Sequence, residues 1–277
     1  MKHKRLNIVK LFALSIIALG ISLQTMAADA YTESKHSWES GIKAYRDKDY
    51  AAAVENFEHI VDLGYASADV YYNLGNAYFR LGQNNLTAEN TPFADGELGN
   101  AILNYRRALK INPAMEDAQY NLDLAVDYTN DKKGIPVNFF VEVWRSVRDI
   151  MSSNHWTIIS LTLLGLTAIF ALVYLLAHRT TLRKVAFGVA LLCVAGFALT
   201  TIMAISQSRV QQTHDRAVVI CAAKCAVHPS PDNASKIIRE PSQGVTVRVV
   251  STENEWSEIE FSDGEKGWIL SKYIELI

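Results

Sequence analysis

At roughly 150 residues per domain, 277 residues suffice for about two domains. The chain is 49% hydrophobic and 20% charged, below the usual charged share of about 25%. A net charge of −2 excludes the strongly basic surface of a nucleic-acid binder, and three cysteines cannot build a disulfide framework. Apolar residues are crowded into three charge-free stretches, which marks a membrane-attached chain with soluble parts.

The first stretch reads as a secretory signal, residues 1–27. Lys2, Lys4, Arg5 and Lys10 precede an apolar run over residues 11–23, and Thr25-Met26-Ala27 offers a small-residue cleavage point. At 13 residues the run is short for a span of about 20.

A repeat follows in residues 28–130. Gly41 and Gly75 stand 34 residues apart, each before a helix-compatible stretch rich in Ala and Tyr. Tyr72-Asn73-Leu74 recurs as Tyr120-Asn121-Leu122, and Ala53-x3-Phe57 as Ala101-x3-Tyr105, both 48 residues later. One 14-residue insertion between Gly82 and Ala101 reconciles 48 with a period of 34. Tyr71-x2-Leu74-Gly75-x2-Tyr78, with Ala101, Tyr105 and Pro113, resembles the tetratricopeptide repeat, with Tyr in place of the family's Trp. The earlier unit keeps Gly41, Ala53 and Phe57 but has Ser40 where Leu is usual. Residues 117–128 are expected to form a terminal covering helix. The resemblance implies a concave groove that holds a peptide or partner protein. It would place Trp38, Ile42 and Tyr45 of the first unit there, with Tyr72, Asn76, Phe79 and Arg80 of the second.

Residues 131–155 form a linker containing an amphipathic stretch. Phe140, Trp144, Val147 and Met151 recur at helical spacing with Arg145, Arg148 and Asp149 off that face, which suits a helix lying on a bilayer surface. Residues 156–177 and 185–206 carry no formal charge and are each long enough as helix to cross about 30 Å of hydrocarbon. The loop between them, 178–184, carries three fixed positive charges and no acid, so it is expected on the cytoplasmic side. Both flanks then lie outside, in agreement with the signal. The spans contain no Asp, Glu, Lys, Arg or His, so they read as an anchor rather than a transport path.

After a linker over 207–214, residues 215–277 change to short β-type runs. Ala217-Val218-Val219-Ile220, Gly244 to Val250, Trp256 to Phe261 and Gly267-Trp268-Ile269-Leu270 read as strands, with Ser262-Asp263-Gly264 as a turn. Pro229, Pro231, Gly244-x-x-Val247, Trp256, Gly264 and Gly267-Trp268-Ile269 are together similar to bacterial SH3-like domains. Such domains bind peptides or cell-wall material, and Trp256, Trp268 and Tyr273 are the candidate surface. Cys221 and Cys225 leave three readings open: free thiols, a disulfide, or part of a metal site with His228. Four residues of continuous strand span about 13 Å, and a disulfide tolerates at most about 7 Å between α-carbons, so pairing needs a turn.

The overall fold class is thus a multidomain membrane protein: a helical tetratricopeptide array, a two-helix transmembrane hairpin and a small all-β SH3-like barrel. This order resembles the BatE-type aerotolerance-operon proteins, most closely in Leu74-Gly75-Asn76-Ala77-Tyr78-Phe79-Arg80-Leu81-Gly82, in Gly99 to Leu109, and in Phe139-Phe140 with Trp144. The resemblance implies an inner-membrane scaffold with both soluble domains periplasmic, beside von Willebrand A-domain membrane proteins and a MoxR-type ATPase. A wall tether, binding peptidoglycan through the SH3-like domain, is the competing expectation. No nucleophile–base motif is visible and the histidines are scattered, so an enzyme is not expected, nor a cofactor or resident metal.

Overall fold

The computed structural model describes residues 29–84, 93, 95–129, 139–222 and 225–277. The predicted signal, most of the predicted insertion and the first part of the linker lie outside the described residues.

Five helices form the N-terminal region: α1 over residues 29–46, α2 Tyr50–Asp62, α3 Ala68–Asn84, α4 Glu97–Ile111 and α5 Glu116–Asp127. Their starts have local causes. Asp49 Oδ1 accepts the Ala52 N–H at 3.1 Å ahead of α2, and Ser67 Oγ accepts the Val70 N–H at 3.2 Å ahead of α3. The glycines are spacers that admit aromatic rings. A Cβ on Gly41 would lie 2.9 Å from the Phe57 ring, and one on Gly75 would lie 2.8 Å from the Tyr105 ring. The two pairs are equivalent once the inserted segment is removed, since Phe57 follows Gly41 by 16 residues and Tyr105 follows Gly75 by 30. Phe57, Ile60, Val70 and Leu74 make one core between α2 and α3; Phe79, Ile102, Leu103, Tyr105 and Leu122 make the next.

Helix α6, Phe139–Arg148, leaves its predicted apolar face open: Phe140 is 80% exposed, with Trp144 and Val147 exposed beside it. Two further helices, α7 (Ser153–Leu176) and α8 (Thr180–Gln212), are long and apolar enough to cross a membrane. They lie antiparallel, with Ser160 Oγ 2.7 Å from Thr201 Oγ1 and Ser153 Oγ donating to Ala204 O at 3.2 Å. Both outrun the predicted charge-free bounds. The basic stretch from Thr180 to Lys184 is helix rather than loop, leaving Ala177-His178-Arg179 as the connection. Charge does not end a helix, because Arg and Lys are good helix formers. Arg183 also stacks on Tyr174, 5.0 Å from its ring centre.

The C-terminal region is one antiparallel sheet: β1 (Arg216–Val219), β2 (Thr246–Glu253), β3 (Trp256–Glu260), β4 (Lys266–Leu270) and β5 (Ile274–Leu276), in the order β4-β3-β2-β1-β5. A register shift between Val249 and Ser251 lets β2 run on to Glu253, past the predicted end. β5 had no sequence forecast, being three residues long and too short to show an alternation. Its core is Ala217, Val219, Val227, Val247, Ile259, Phe261 and Ile269.

The sheet is not a separate bead on the chain. Val218 of β1 is fully buried in the core of α3, α4 and α5. Gly99 of α4 sits so close that a Cβ there would lie 2.7 Å from Val219 O and 2.9 Å from Ile220 Cα. The start of α4 has Gly96 at its N-cap with φ +85° and no side-chain cap of its own. The cap comes instead from Gln243, whose Oε1 accepts the Gly99 N–H at 3.2 Å while its Nε2 donates to Phe93 O. At the other end of α4, Arg107 donates to Glu275 and to Leu276 O, both at 2.7 Å, and Lys110 Nζ donates to Thr213 O at 2.7 Å.

Candidate functional site

The predicted groove residues divide when placed. Asn76 is the hub of a polar network: its Oδ1 accepts from Tyr105 Oη at 2.8 Å and from Asn121 Nδ2 at 2.8 Å, and Asn121 Nδ2 also approaches Tyr72 Oη at 3.5 Å. Burial pushes the Tyr105 hydroxyl up, reinforced by the neighbouring Tyr45 and Tyr72, so it stays protonated and donates. Tyr72 is half-buried, 6.3 Å from the Tyr105 ring. Arg80 is exposed on the same helix, donating to Gln83 Oε1 at 3.1 Å. Phe79 is not a surface residue: it is 6% exposed, with Phe93 at 5.3 Å and Tyr128 at 5.6 Å. Within the insertion, Phe93 returns to α3, its N–H donating to Gly82 O at 2.9 Å, and its ring covers Phe79.

In the first unit, Trp38 and Ile42 are half-buried against the α2–α3 core, Trp38 packing edge-on to Phe57 at 5.7 Å. Tyr45 packs on Tyr50 at 5.3 Å. The face built from α1, α3 and α5 therefore offers Tyr45, Tyr72, Asn76 and Arg80, joined by Asn121 and the exposed Tyr120 and Leu124 of α5, which had no groove assignment, while Tyr105 of α4 is 1% exposed and backs the network from the core. The signal for the α5 residues was present in the recurrence of Tyr-Asn-Leu at 120–122.

On the sheet, Trp256 and Trp268 share the outer face of β3 and β4, in register opposite Leu270 and Glu258 respectively. His228 joins them. Its ring stands edge-on to Trp256 at 5.5 Å, its Nδ1 lies 2.9 Å from Ser235 O, and its backbone exchanges hydrogen bonds with Trp268 at 2.8 and 2.7 Å. Tyr273 belongs elsewhere, packed against the sheet core with Lys272 Nζ 5.1 Å from its ring centre.

Cys221 and Cys225 are joined by a disulfide with 6.3 Å between α-carbons. Pairing is reached because β1 ends at Val219 and the chain bends at Ala222 instead of continuing extended. Both cysteines are buried in the sheet core, and Cys193 is a free, buried thiol in α8. No group of three or more metal-ligating side chains is gathered among the described residues.

The residues thus build an open polar-aromatic helical face and an aromatic patch on a small sheet. Comparison with known proteins identifies the second: residues 226–275 match the bacterial SH3 domain family. Strand β1, although paired to β2 and β5, precedes the matched span. No curated protein and no solved structure matches the chain.

Proposed function

We propose that the chain is a non-enzymatic, membrane-anchored scaffold in which the helical face of α1, α3 and α5 holds a segment of an envelope protein. The observation that carries this reading is the Tyr72–Asn76–Asn121 network, which fixes polar and aromatic groups on an open face of helix pairs spaced like tetratricopeptide units. Exposed Tyr120 and Leu124 extend that face onto the last helix, where a partner can cover them. In this reading the two apolar helices anchor the chain, a periplasmic side for both soluble parts is supported by the signal-like N-terminus and the basic stretch after α7, and α6 rests its Phe140–Trp144 face on the lipid. The BatE-type resemblance supplies the expected partners, von Willebrand A-domain membrane proteins working with a MoxR-type ATPase. The test is a photo-crosslinker at Arg80 in intact cells. Capture of such membrane proteins, lost on Tyr72→Ala, is expected; an unchanged complex in a Tyr72→Ala/Arg80→Glu variant would refute it.

A second reading is favoured by the SH3 family match. The Trp256–Trp268 patch would tether the chain to peptidoglycan, aromatic rings stacking on sugar or peptide. Under it, the purified full chain in detergent sediments with cell-wall material and Trp256→Ala/Trp268→Ala abolishes this. Absence of sedimentation by the folded protein removes the tether.

A further inference from the structure

The seam between α4 and β1 holds two guanidinium groups that the fold leaves without a partner. Helix and strand run in opposite directions. Gly99 meets Val219 and Ile220, and eleven residues later Lys110 Nζ donates to Thr213 O at 2.7 Å and to Ile277 O at 2.8 Å. Gly99, Arg106 and Lys110 follow one another at spacings of 7 and 4, one face of a helix. Arg106 is therefore set against β1 between those two contacts, opposite about residues 215–216. Val218 points into the helical core, and side chains two apart on a strand share a side, so Arg216 also projects towards α4.

The two cations act on each other. Burial, and then the Arg216 charge, lower the Arg106 guanidinium to about 10, with Asp123 of α5 opposing them. Neither arginine forms an ion pair among the described residues. Arg106 Nε is sealed without a partner, whereas its Nη1 and Nη2 are not sealed and carry no hydrogen bond; Arg216 is exposed. The nearby carboxylates are engaged elsewhere. Asp123 Oδ1 accepts from Gln119 Nε2 at 2.8 Å, and Glu260 holds Arg248, which stands directly across the sheet from Arg216.

Like charges facing each other across a ladder destabilise it, and a buried guanidinium without a counter-charge is costly. Two guanidiniums less the Asp123 carboxylate leave one uncompensated positive charge, which equals the charge of a phosphodiester. The anchor reading brings such a group close. α8 is about 50 Å long, and a bilayer with its headgroups is about 40–45 Å thick. With the basic stretch Thr180 to Lys184 in one headgroup layer, the last turn of α8 emerges at the other. Arg209 lies in that turn, exposed and unpaired, and Arg216 follows its end by four residues, within reach of side chains that extend towards headgroups.

We propose that Arg106 and Arg216 bind a phosphate group at this seam, Arg106 through Nη1 and Nη2 and Arg216 through its exposed fork, carried by the headgroup of an anionic phospholipid or by the free ion. Only the lipid source rests on the anchor reading; the site itself does not, and none of its residues belongs to the groove face.

The experiment is thermal melting of the full chain in a nonionic detergent with added phosphatidylglycerol, phosphatidylcholine, inorganic phosphate or succinate, at one ionic strength. Arg216→Gln is the comparison, because Arg216 is exposed and its replacement leaves the core intact. The natural chain should melt higher, saturably, with phosphatidylglycerol or inorganic phosphate. The half-saturating concentration should rise at least tenfold in Arg216→Gln, and should rise with added salt. Without ligand, the variant should melt no lower than the natural chain, since it loses a repulsion. Whichever phosphate source acts at lower concentration is the occupant, and a response to inorganic phosphate alone keeps the site while removing the lipid. No saturable rise with either, an equal rise with zwitterionic phosphatidylcholine or with succinate, an undiminished response in the variant, or a ligand-free variant that melts lower overturns the site.

Discussion

Gly99 allows the contact between α4 and the sheet to be tested by the sign of an effect. Within a solvated helix, replacing Gly by Ala stabilises by about 1 kcal/mol, and Val ranks between them. At Gly99 the added Cβ would stand 2.7 Å from Val219 O and 2.9 Å from Ile220 Cα, both backbone atoms that cannot rotate away. Relief needs a movement of roughly 0.7 Å to reach ordinary contact. Overpacking of this kind costs about 1–3 kcal/mol for one methyl, and more for a branched side chain. The same shift lengthens the Gln243 bond that caps α4. Gly99→Ala is therefore expected to lose about 1 kcal/mol net and Gly99→Val about 3, the melting temperature falling by roughly 2–4 °C for each kcal/mol in a body of this size. Melting of the purified chain in detergent, followed by tyrosine and tryptophan fluorescence, reads the series. Gly188→Ala serves as the control, because nothing lies within 4 Å of a Cβ at Gly188. The stability order Gly, Ala, Val supports the contact. The order Ala, Val, Gly is that of a free helix and would refute it.

Three further outcomes follow from the same geometry. Asn76→Ala leaves the Tyr105 hydroxyl and the Asn121 amide without their shared acceptor, and should cost about 1–3 kcal/mol in urea unfolding, with equal stability counting against the network. The Asp263 carboxyl is held below its usual range by the Glu265 N–H and by Arg239, and Glu260 by Arg248. Depressed carboxyl values make these contributions present above the unfolded value and lost as pH falls through the folded one. Melting of the sheet should accordingly drop in acid below about pH 4, and less so in Asp263→Asn. Reducing the Cys221–Cys225 disulfide, which closes a very short loop, should destabilise the sheet by about 2 kcal/mol; a melting temperature indifferent to reductant would contradict that.

What the sequence disclosed depended on the range of the interaction responsible. Repeats, helix faces and apolar runs are periodic, so α2 to α8 and four of the five strands were legible from local pattern. The helix after Arg179 departs from the charge-free run 185–206 only at its ends, because charge does not interrupt backbone hydrogen bonding. The position of Phe79 in the repeat predicts a groove residue; Phe93, which the repeat pattern does not contain, covers it. The docking of the sheet was invisible for a different reason. Gly99 and Gln243 are 144 residues apart, and nothing in either segment's periodicity reports the other. Gly99 even lies in the segment, Gly99 to Leu109, that resembles the BatE-type proteins, and that likeness carries no sign of a contact with the sheet. Gly99 is in fact the position where β1 and the chain after it come against α4.

That docking constrains how the two apolar helices relate to a bilayer. α7 and α8 stand between the helical array and the sheet in the chain, yet Lys110 Nζ meets Thr213 O at 2.7 Å and Arg107 meets Glu275 at 2.7 Å. A single crossing would put the two parts on opposite faces, separated by about 30 Å of hydrocarbon, and break every one of these contacts together with the burial of Val218. Two crossings return the chain to the face it left and keep them. The lengths agree with this. As helix, α8 is about 50 Å long, more than the hydrocarbon core requires, and its last turn delivers the chain to β1 with only Thr213, His214 and Asp215 between. Lys110 meets that end directly, a cation at a helix C-terminus where the dipole favours one. The array and the sheet are thus held together at the C-terminal end of α8, so a partner that engages either of them acts on both.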